Sequence, residues 1–536
     1  MSKFAPKTLA GTVAAVALAT TAFTAVGSAP AQAATVTSMY SGGGTFAELI
    51  YRGLFNCYGL SDSGNLGAPG VGCASSPVNS LAEFYYLGVG SGNGKKAFTT
   101  YNPGNYVSGA RTPDDPPSNG TFAHQYYGAG VGPSWVSSAT STNFFPAVTF
   151  SGSDDPLTSS DTSTYNANSL NTLYGAPVQF PTLIAAVALG FTPASGTWTP
   201  AGVEPTGGSS SVDLSLNTVC GIYTGHITDW SDSHITADNG GTALGAGTIT
   251  VTYRSDSSGT TFLFSNALLH QCTTANGVDA ADVTTLASWS GLSGNAPAGT
   301  GNNSFFINVQ KDTTGVGPLP ANFSNAAGSG GIQLLIDSTA GALGYIAPGF
   351  LEPVWPINNA GSKKDSHGNL VASEANPQTF ASVAGGTPVW IAPTAAAASE
   401  IMADVTPPSF LKKSCSLTLG CASNPINWGV TQPAPSLADA YPYGGFTFID
   451  TYQCHASSTV LADLIKNKTS TAPYKGLFGW FFDSPAYTGN PGFTILGNNG
   501  AAPIPAAWQT AVLTLLATSK MKLIKGPHTG TCTSGA

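Results

Sequence analysis

Charge is what this chain has least of. Asp, Glu, Lys and Arg make up 8% of its 536 residues, against ~25% in an ordinary globular protein. The net charge is −9, which makes nucleic acid and anionic membranes poor partners. The seven histidines (His124, His226, His234, His270, His367, His455 and His528) show no H-x-H or H-E-x-x-H spacing. A zinc or two-metal hydrolase centre is therefore unsupported, and neither metal nor cofactor is expected. No G-x-S-x-G elbow is present, and no His/Asp pair is spaced to activate Ser258, so no catalytic residue is named. Beyond the N-terminal leader there is no apolar run of the ~20 residues needed to span a bilayer.

Gly (65) and Pro (37) are plentiful, with many Ser, Thr and Asn. An acidic protein so built can hold an anion only with local donors. Lys3 and Lys7, the apolar stretch Leu9 to Val26, and Ala31-Gln32-Ala33 read as a secretory signal peptide spanning 1–34. No Cys follows the cleavage site, so a lipid anchor is not expected, and the mature chain is expected to be periplasmic or secreted. The eight cysteines and the export signal suggest four disulfides. Eight cysteines allow 105 pairings. Neighbour pairing is the simplest: Cys57–Cys73, Cys220–Cys272, Cys415–Cys421 and Cys454–Cys532.

Short β-like runs alternate with helical segments. Strands are expected at 146–150, 178–180, 183–187, 248–253 and 343–346, and helices at 46–55, 214–223, 262–269, 332–336 and 507–516. That alternation predicts α/β layers with largely parallel sheets. Gly/Ser/Pro/Asn-rich stretches at 99–145, 158–175, 192–212 and 290–330 read as long loops.

The richest segment is Tyr253-Arg254-Ser255-Asp256-Ser257-Ser258-Gly259-Thr260-Thr261-Phe262, where a β-like run turns into a helix. Free N–H groups and the dipole make such a helix start an anion site. Ser258 and Thr260 add hydroxyls, Gly259 admits close approach, and Asp256 can brace the Arg254 fork. A surface ion pair is the plainer alternative. Ser41-Gly42-Gly43-Gly44-Thr45-Phe46 and Gly88 to Lys95, with Ser91, are further Gly-rich turns, each unremarkable alone. In Ser151-Gly152-Ser153-Asp154, the Asp suits an anion only if the ligand carries a proton, as phosphate does and sulfate does not. An Asx-turn is the alternative there.

In order, these segments resemble the PstS-like periplasmic phosphate-binding protein of the bacterial phosphate ABC importer, and most of all its DING branch. Val178 to Thr182, Val212 to Ser215, Cys220 to Ser231, Gly341 to Ile346 and Tyr441 to Thr447 carry the likeness further. The resemblance implies an α/β fold of the two-lobed, type II clam-shell kind, with long loop insertions. Lobe 1 would comprise 35–182 and 446–536, and lobe 2 would comprise 183–445. It implies that Thr45, the backbone of Phe46, and Ser91 donate to inorganic phosphate, and that Asp154 accepts the phosphate proton. Arg254, Ser258, Gly259 and Thr260 would supply the other half, with Asp256 bracing Arg254. DING proteins usually carry Glu at the position of Asp256. The family's two disulfides fall at 220–272 and 454–532. Cys57–Cys73 and Cys415–Cys421 lie in apparent insertions, which concentrate in 57–80, 99–145, 158–175 and 347–440. The implied partners are phosphate and a phosphate ABC permease, with the chain a monomer. A secreted alkaline phosphatase acting on phosphomonoesters is the alternative activity.

Overall fold

The run Thr37–Gly43 forms strand β1 and turns through Gly44 and Thr45 into helix α1, Glu48–Tyr58. The same move follows in β2 (Ala82–Gly88) with α2 (Ser91–Thr100), and in β3 (Phe150–Ser153) with α3 (Ser159–Ala167). β4 (Pro177–Ala186) runs almost straight into β5 (Ala188–Phe191). Then come α4 (Leu216–Thr224), β6 (Thr250–Arg254), α5 (Gly259–Gln271), β7 (Phe323–Ala326), α6 (Gly328–Ser338), β8 (Ala342–Ile346) and β9 (Ser373–Glu374). β10 (Gly444–Tyr452) and β11 (Ala501–Pro503) close the scheme. This computed structural model describes residues 37–59, 79–106, 147–192, 194, 212–241, 243–351, 373–383, 385, 387–410, 422, 424–455, 460, 463–464, 476–482, 495–497, 499–517, 522–523 and 532–535.

The strands form a six-stranded sheet, β11-β4-β10-β3-β1-β2, and a five-stranded sheet, β9-β5-β8-β6-β7. β1 pairs in parallel with β2 and β3, and β6 with β7 and β8. The other pairings in these sheets are antiparallel, so the expected largely parallel sheets are in fact mixed. The crossing between sheets explains this. The chain passes from β4 to β5 through Val187 and returns beside it, where Val187 N–H donates to the Tyr443 carbonyl at 2.8 Å. Out-and-back segments lying side by side pair antiparallel.

The expected runs 178–180 and 183–187 merge into β4. Pro181 between them has no N–H to give the ladder. The register against β10 shifts at that point, Thr447 facing Leu183 and Phe448 facing Pro181. Segment 158–175, expected as loop, carries α3. Thr158 Oγ1 accepts the Asp161 N–H at 3.2 Å and the Asp161 carboxylate accepts the Thr158 N–H at 2.8 Å, a reciprocal cap. Segment 290–330 likewise holds a short helix, Phe305–Gln310, and β7, since Phe305, Phe306 and Val309 are buried in the core.

Cys220 and Cys272 are bridged with Cα atoms 6.0 Å apart, and Cys454 and Cys532 with theirs 6.5 Å apart. Cys73, Cys415, Cys421 and the leader lie outside the described residues, and with them the Cys57–Cys73 and Cys415–Cys421 pairings. The first bridge ties α4 to the end of α5 across 52 residues. Loop-closure entropy puts its stabilisation at roughly 4 kcal/mol. The double variant Cys220→Ser/Cys272→Ser is expected to show a clearly lower urea midpoint, and an unchanged midpoint would refute that role. Among the described residues no helix is long and apolar enough to cross a membrane.

Candidate functional site

Because β1, β2 and β3 are parallel, their C-terminal ends share one edge of the first sheet. The turns leaving that edge carry Thr45, Ser91 and Asp154, all essentially without solvent exposure. Asp154 is wrapped by hydroxyls: Oδ1 accepts from Thr447 at 2.8 Å and Oδ2 from Ser91 at 3.3 Å. Its own N–H donates to Ser91 Oγ at 3.2 Å. Burial pushes the carboxyl up to about 6, against the opposing hydrogen bonds from Thr447 and Ser91 and the charge of Arg254. Phe46 follows Thr45 in the turn, and its ring packs into the core.

The second sheet presents the matching edge. β6 ends at Arg254, and Ser258 caps α5 by accepting the Thr261 N–H at 3.2 Å. Arg254 is 2% exposed. Its fork donates to both oxygens of Asp256, at 2.6 and 2.5 Å, and Gly328 N–H adds a third bond to that carboxylate at 2.9 Å. Burial alone would depress the guanidinium, but Asp256 outweighs it and keeps the group charged. Tyr345 Oη accepts the Arg254 N–H at 3.1 Å and pairs with the Thr261 hydroxyl at 2.7 Å, fixing strand and helix together.

The two edges face each other at contact distance. A Cβ on Gly259 would lie 2.4 Å from Ser91 Oγ and 2.8 Å from Asp154 Oδ2. Gly90 has φ +85°, and a Cβ there would meet Asp256 Oδ2 at 2.5 Å, so glycine is required twice over. Thr45 Oγ1 lies 3.1 Å from Ser329 Oγ and accepts the Ser329 N–H at 3.1 Å. Arg254 Nη1 approaches the same Ser329 hydroxyl at 3.5 Å. The Thr260 hydroxyl is buried with no hydrogen-bond partner among the described residues.

The structure thus brings Thr45, Phe46, Ser91, Asp154, Arg254, Asp256, Ser258, Gly259 and Thr260 to one junction. Ser329 and Thr447 were not among the residues singled out from sequence. Gly328-Ser329-Gly330-Gly331 before an apolar run has the same signature as the Gly-rich turn at Thr45, but it sits in a stretch read as loop. Among the described residues, no group of three or more His, Cys, Asp or Glu is placed to hold a metal ion.

Two mixed sheets meeting edge to edge over buried hydroxyls, the Arg254 guanidinium and the Asp154 and Asp256 carboxylates define a two-lobed binding-protein fold. The family model of the PBP superfamily domain matches residues 74–363, and the chain belongs to that superfamily. Among curated proteins, it is 26% identical over 458 residues to "Alkaline phosphatase L" of Pseudomonas aeruginosa strain UCBPP-PA14, covering 83% of this chain and 86% of that one. It is 28% identical over 455 residues to a "Phosphate-binding protein" of an unknown prokaryotic organism, covering 83% and 91%. Among solved structures, the phosphate-binding protein from Stenotrophomonas maltophilia superposes with a TM-score of 0.56 at 24% identity, over 93% of this chain and 99% of that one. A high affinity periplasmic phosphate-binding protein, PfluDING, solved with phosphate bound, superposes with a TM-score of 0.53 at 23% identity, over 90% and 94%. These structural likenesses concern the fold.

Proposed function

We propose that this is an exported phosphate-binding protein that clamps one inorganic phosphate between its lobes, for uptake or scavenging. One observation carries the reading: a buried carboxylate, Asp154, stands inside a ring of neutral donors opposite Arg254. An anion ligand can live beside that carboxylate only if it brings a proton, and phosphate does. Thr45, the Phe46 N–H, Ser91, Ser258, Gly259 N–H and Thr260 are the donors, Arg254 the cation, and Asp256 its brace. Each hydrogen bond to a charged ligand contributes ~1.5–3 kcal/mol. Those donors and Arg254 together exceed the ~8 kcal/mol of micromolar affinity, leaving a margin for desolvation and closure. The relatives named for phosphate binding support the same ligand.

The lobe division 35–182 with 446–536, and 183–445, belongs to this reading. It is supported by the six-stranded sheet drawing its strands from both ends of the chain and the five-stranded sheet from the middle. So do a cleaved leader at 1–34, a periplasmic or secreted location, a monomeric state, and delivery to a phosphate permease. The direct test is phosphate assay of the denatured pure protein, with calorimetric titration after its removal. No phosphate released and no binding on titration would end the proposal.

The name of the Pseudomonas relative motivates a second reading, hydrolysis of phosphomonoesters. An ester substituent would have to leave a ring whose members are nearly all below 3% exposure, so inorganic phosphate is the better fit. Turnover of a chromogenic phosphoester that is lost in Thr45→Ala or Asp154→Ala would favour the enzyme.

Ser329 lies between Thr45 of one lobe and Arg254 of the other. Ser329→Ala is expected to weaken phosphate binding by roughly tenfold, the worth of one hydrogen bond near a charged group. Wild-type affinity on calorimetry would remove Ser329 from the site.

A further inference from the structure

We infer that Asn303 is a positioning residue of the clamp, the pin of a latch that holds the lobes closed from outside the ligand ring. The inference rests on the phosphate-binding reading. Asn303 Nδ2 donates to Asp155 Oδ2 at 2.6 Å, and the Asn303 carbonyl accepts the Ser258 N–H at 2.8 Å. One residue therefore ties the cap of α5 to the neighbour of Asp154.

Each half of the latch is fixed by contacts within its own lobe. Residues 301–303 are laid along α5: Gly301 N–H donates to Asn266 Oδ1 at 3.0 Å and Asn302 N–H to Ser265 Oγ at 3.1 Å. Ser304 Oγ donates to Asn303 Oδ1 at 3.1 Å, which aims the amide nitrogen at Asp155. On the other side, Lys95 Nζ sits 2.6 Å from Asp155 Oδ2 and 3.2 Å from Asp161 Oδ2, and also donates to the Pro156 carbonyl at 3.4 Å. Burial would lower the Lys95 ammonium, but Asp155 and Asp161 push it up to about 12. Ser153 Oγ accepts the Asp155 N–H at 3.1 Å. Gly92 N–H donates to the Ser257 carbonyl at 3.0 Å beside the latch. A hydrogen bond to a buried, lysine-paired carboxylate is strong and directional. Since it forms only where the lobes meet, its free energy weights the closed state, and hence ligand retention.

The test compares wild type with Asn303→Ala and with Asn303→Asp, a near-isostere that sets a carboxylate against Asp155. Dissociation of radiolabelled phosphate is followed after a chase of unlabelled phosphate. Small-angle scattering gives the radius of gyration without ligand, and a ligand-free melt checks folding. The expected result is phosphate dissociation about tenfold faster in Asn303→Ala and faster still in Asn303→Asp. Association should change little, the ligand-free variants should still melt cooperatively, and the ligand-free Asn303→Asp protein should be more expanded. Dissociation and radius of gyration both equal to wild type in the folded variants would overturn the latch. If wild type itself holds no phosphate, the functional reading fails, and the scattering comparison still decides the latch. If Asn303→Asp does not fold, Asn303→Ala decides alone.

Discussion

Arg254→Ala is expected to lower phosphate affinity by at least about a hundredfold, the largest single loss in the site. Arg254 is the cation the geometry places among the proposed ligands, and it is 2% exposed. Its removal takes away the positive partner of a dianion. It also strands Asp256, whose side chain is 8% exposed and whose two oxygens both take Arg254 donors. A buried carboxylate left without its partner then faces the incoming anion. The double variant Arg254→Ala/Asp256→Ala should therefore bind phosphate better than Arg254→Ala alone, because it removes the stranded charge. Arg254→Lys should fall between wild type and Ala: it keeps the charge and loses the planar fork. Calorimetry on the four proteins checks the order. Near-wild-type affinity in Arg254→Ala would mean that the anion binds elsewhere.

Much of this half-site is legible in sequence because it is local. Arg254, Asp256, Ser258 and Thr260 lie within seven residues of one strand-to-helix turn, so their proximity follows from chain connectivity. The helix begins earlier than the apolar run at Phe262 suggests, because Ser258 supplies a cap that hydrophobic spacing cannot register. Ser329 and Asn303 are different. The first reaches Thr45 across 284 residues and the second reaches Asp155 across 148. Neither pairing leaves a trace in local composition. The same limit explains the sheets. β4 is recognisable as extended in the runs 178–180 and 183–187 while β10 is not among the expected strands, and only the double crossing at Val187 and Tyr443 makes the two antiparallel neighbours. Segment 158–175 misleads for another reason: its Ser, Thr and Asp read as loop, whereas Thr158 and Asp161 use the same groups to cap a helix.

Asp154→Asn is expected to change phosphate affinity modestly while reducing phosphate-over-sulfate discrimination by roughly a hundredfold or more. In the wild type, a sulfate oxygen facing the Asp154 carboxylate brings two acceptors together with no proton between them. An Asn amide donates to either anion. The same group predicts a pH dependence. Burial holds Asp154 up to about 6. As pH falls through that value the acid gains its own proton and can donate, so wild-type discrimination against sulfate should shrink. Asp154→Asn has no such group, and its ratio should show only phosphate's own titration, which makes it the control. The ligand-free protein gives a second readout. The folded-state value of about 6 lies above the ordinary 3.8, so folding favours the protonated acid. Its contribution to stability is present below about 4 and is lost as pH rises through about 6. The stability of wild type relative to Asp154→Asn should fall over that interval, read as a decrease in the wild-type urea midpoint relative to that of the variant. Discrimination that is flat with pH in the wild type, and unchanged in the Asn variant, would take Asp154 out of the ligand's reach and with it the argument that selects phosphate.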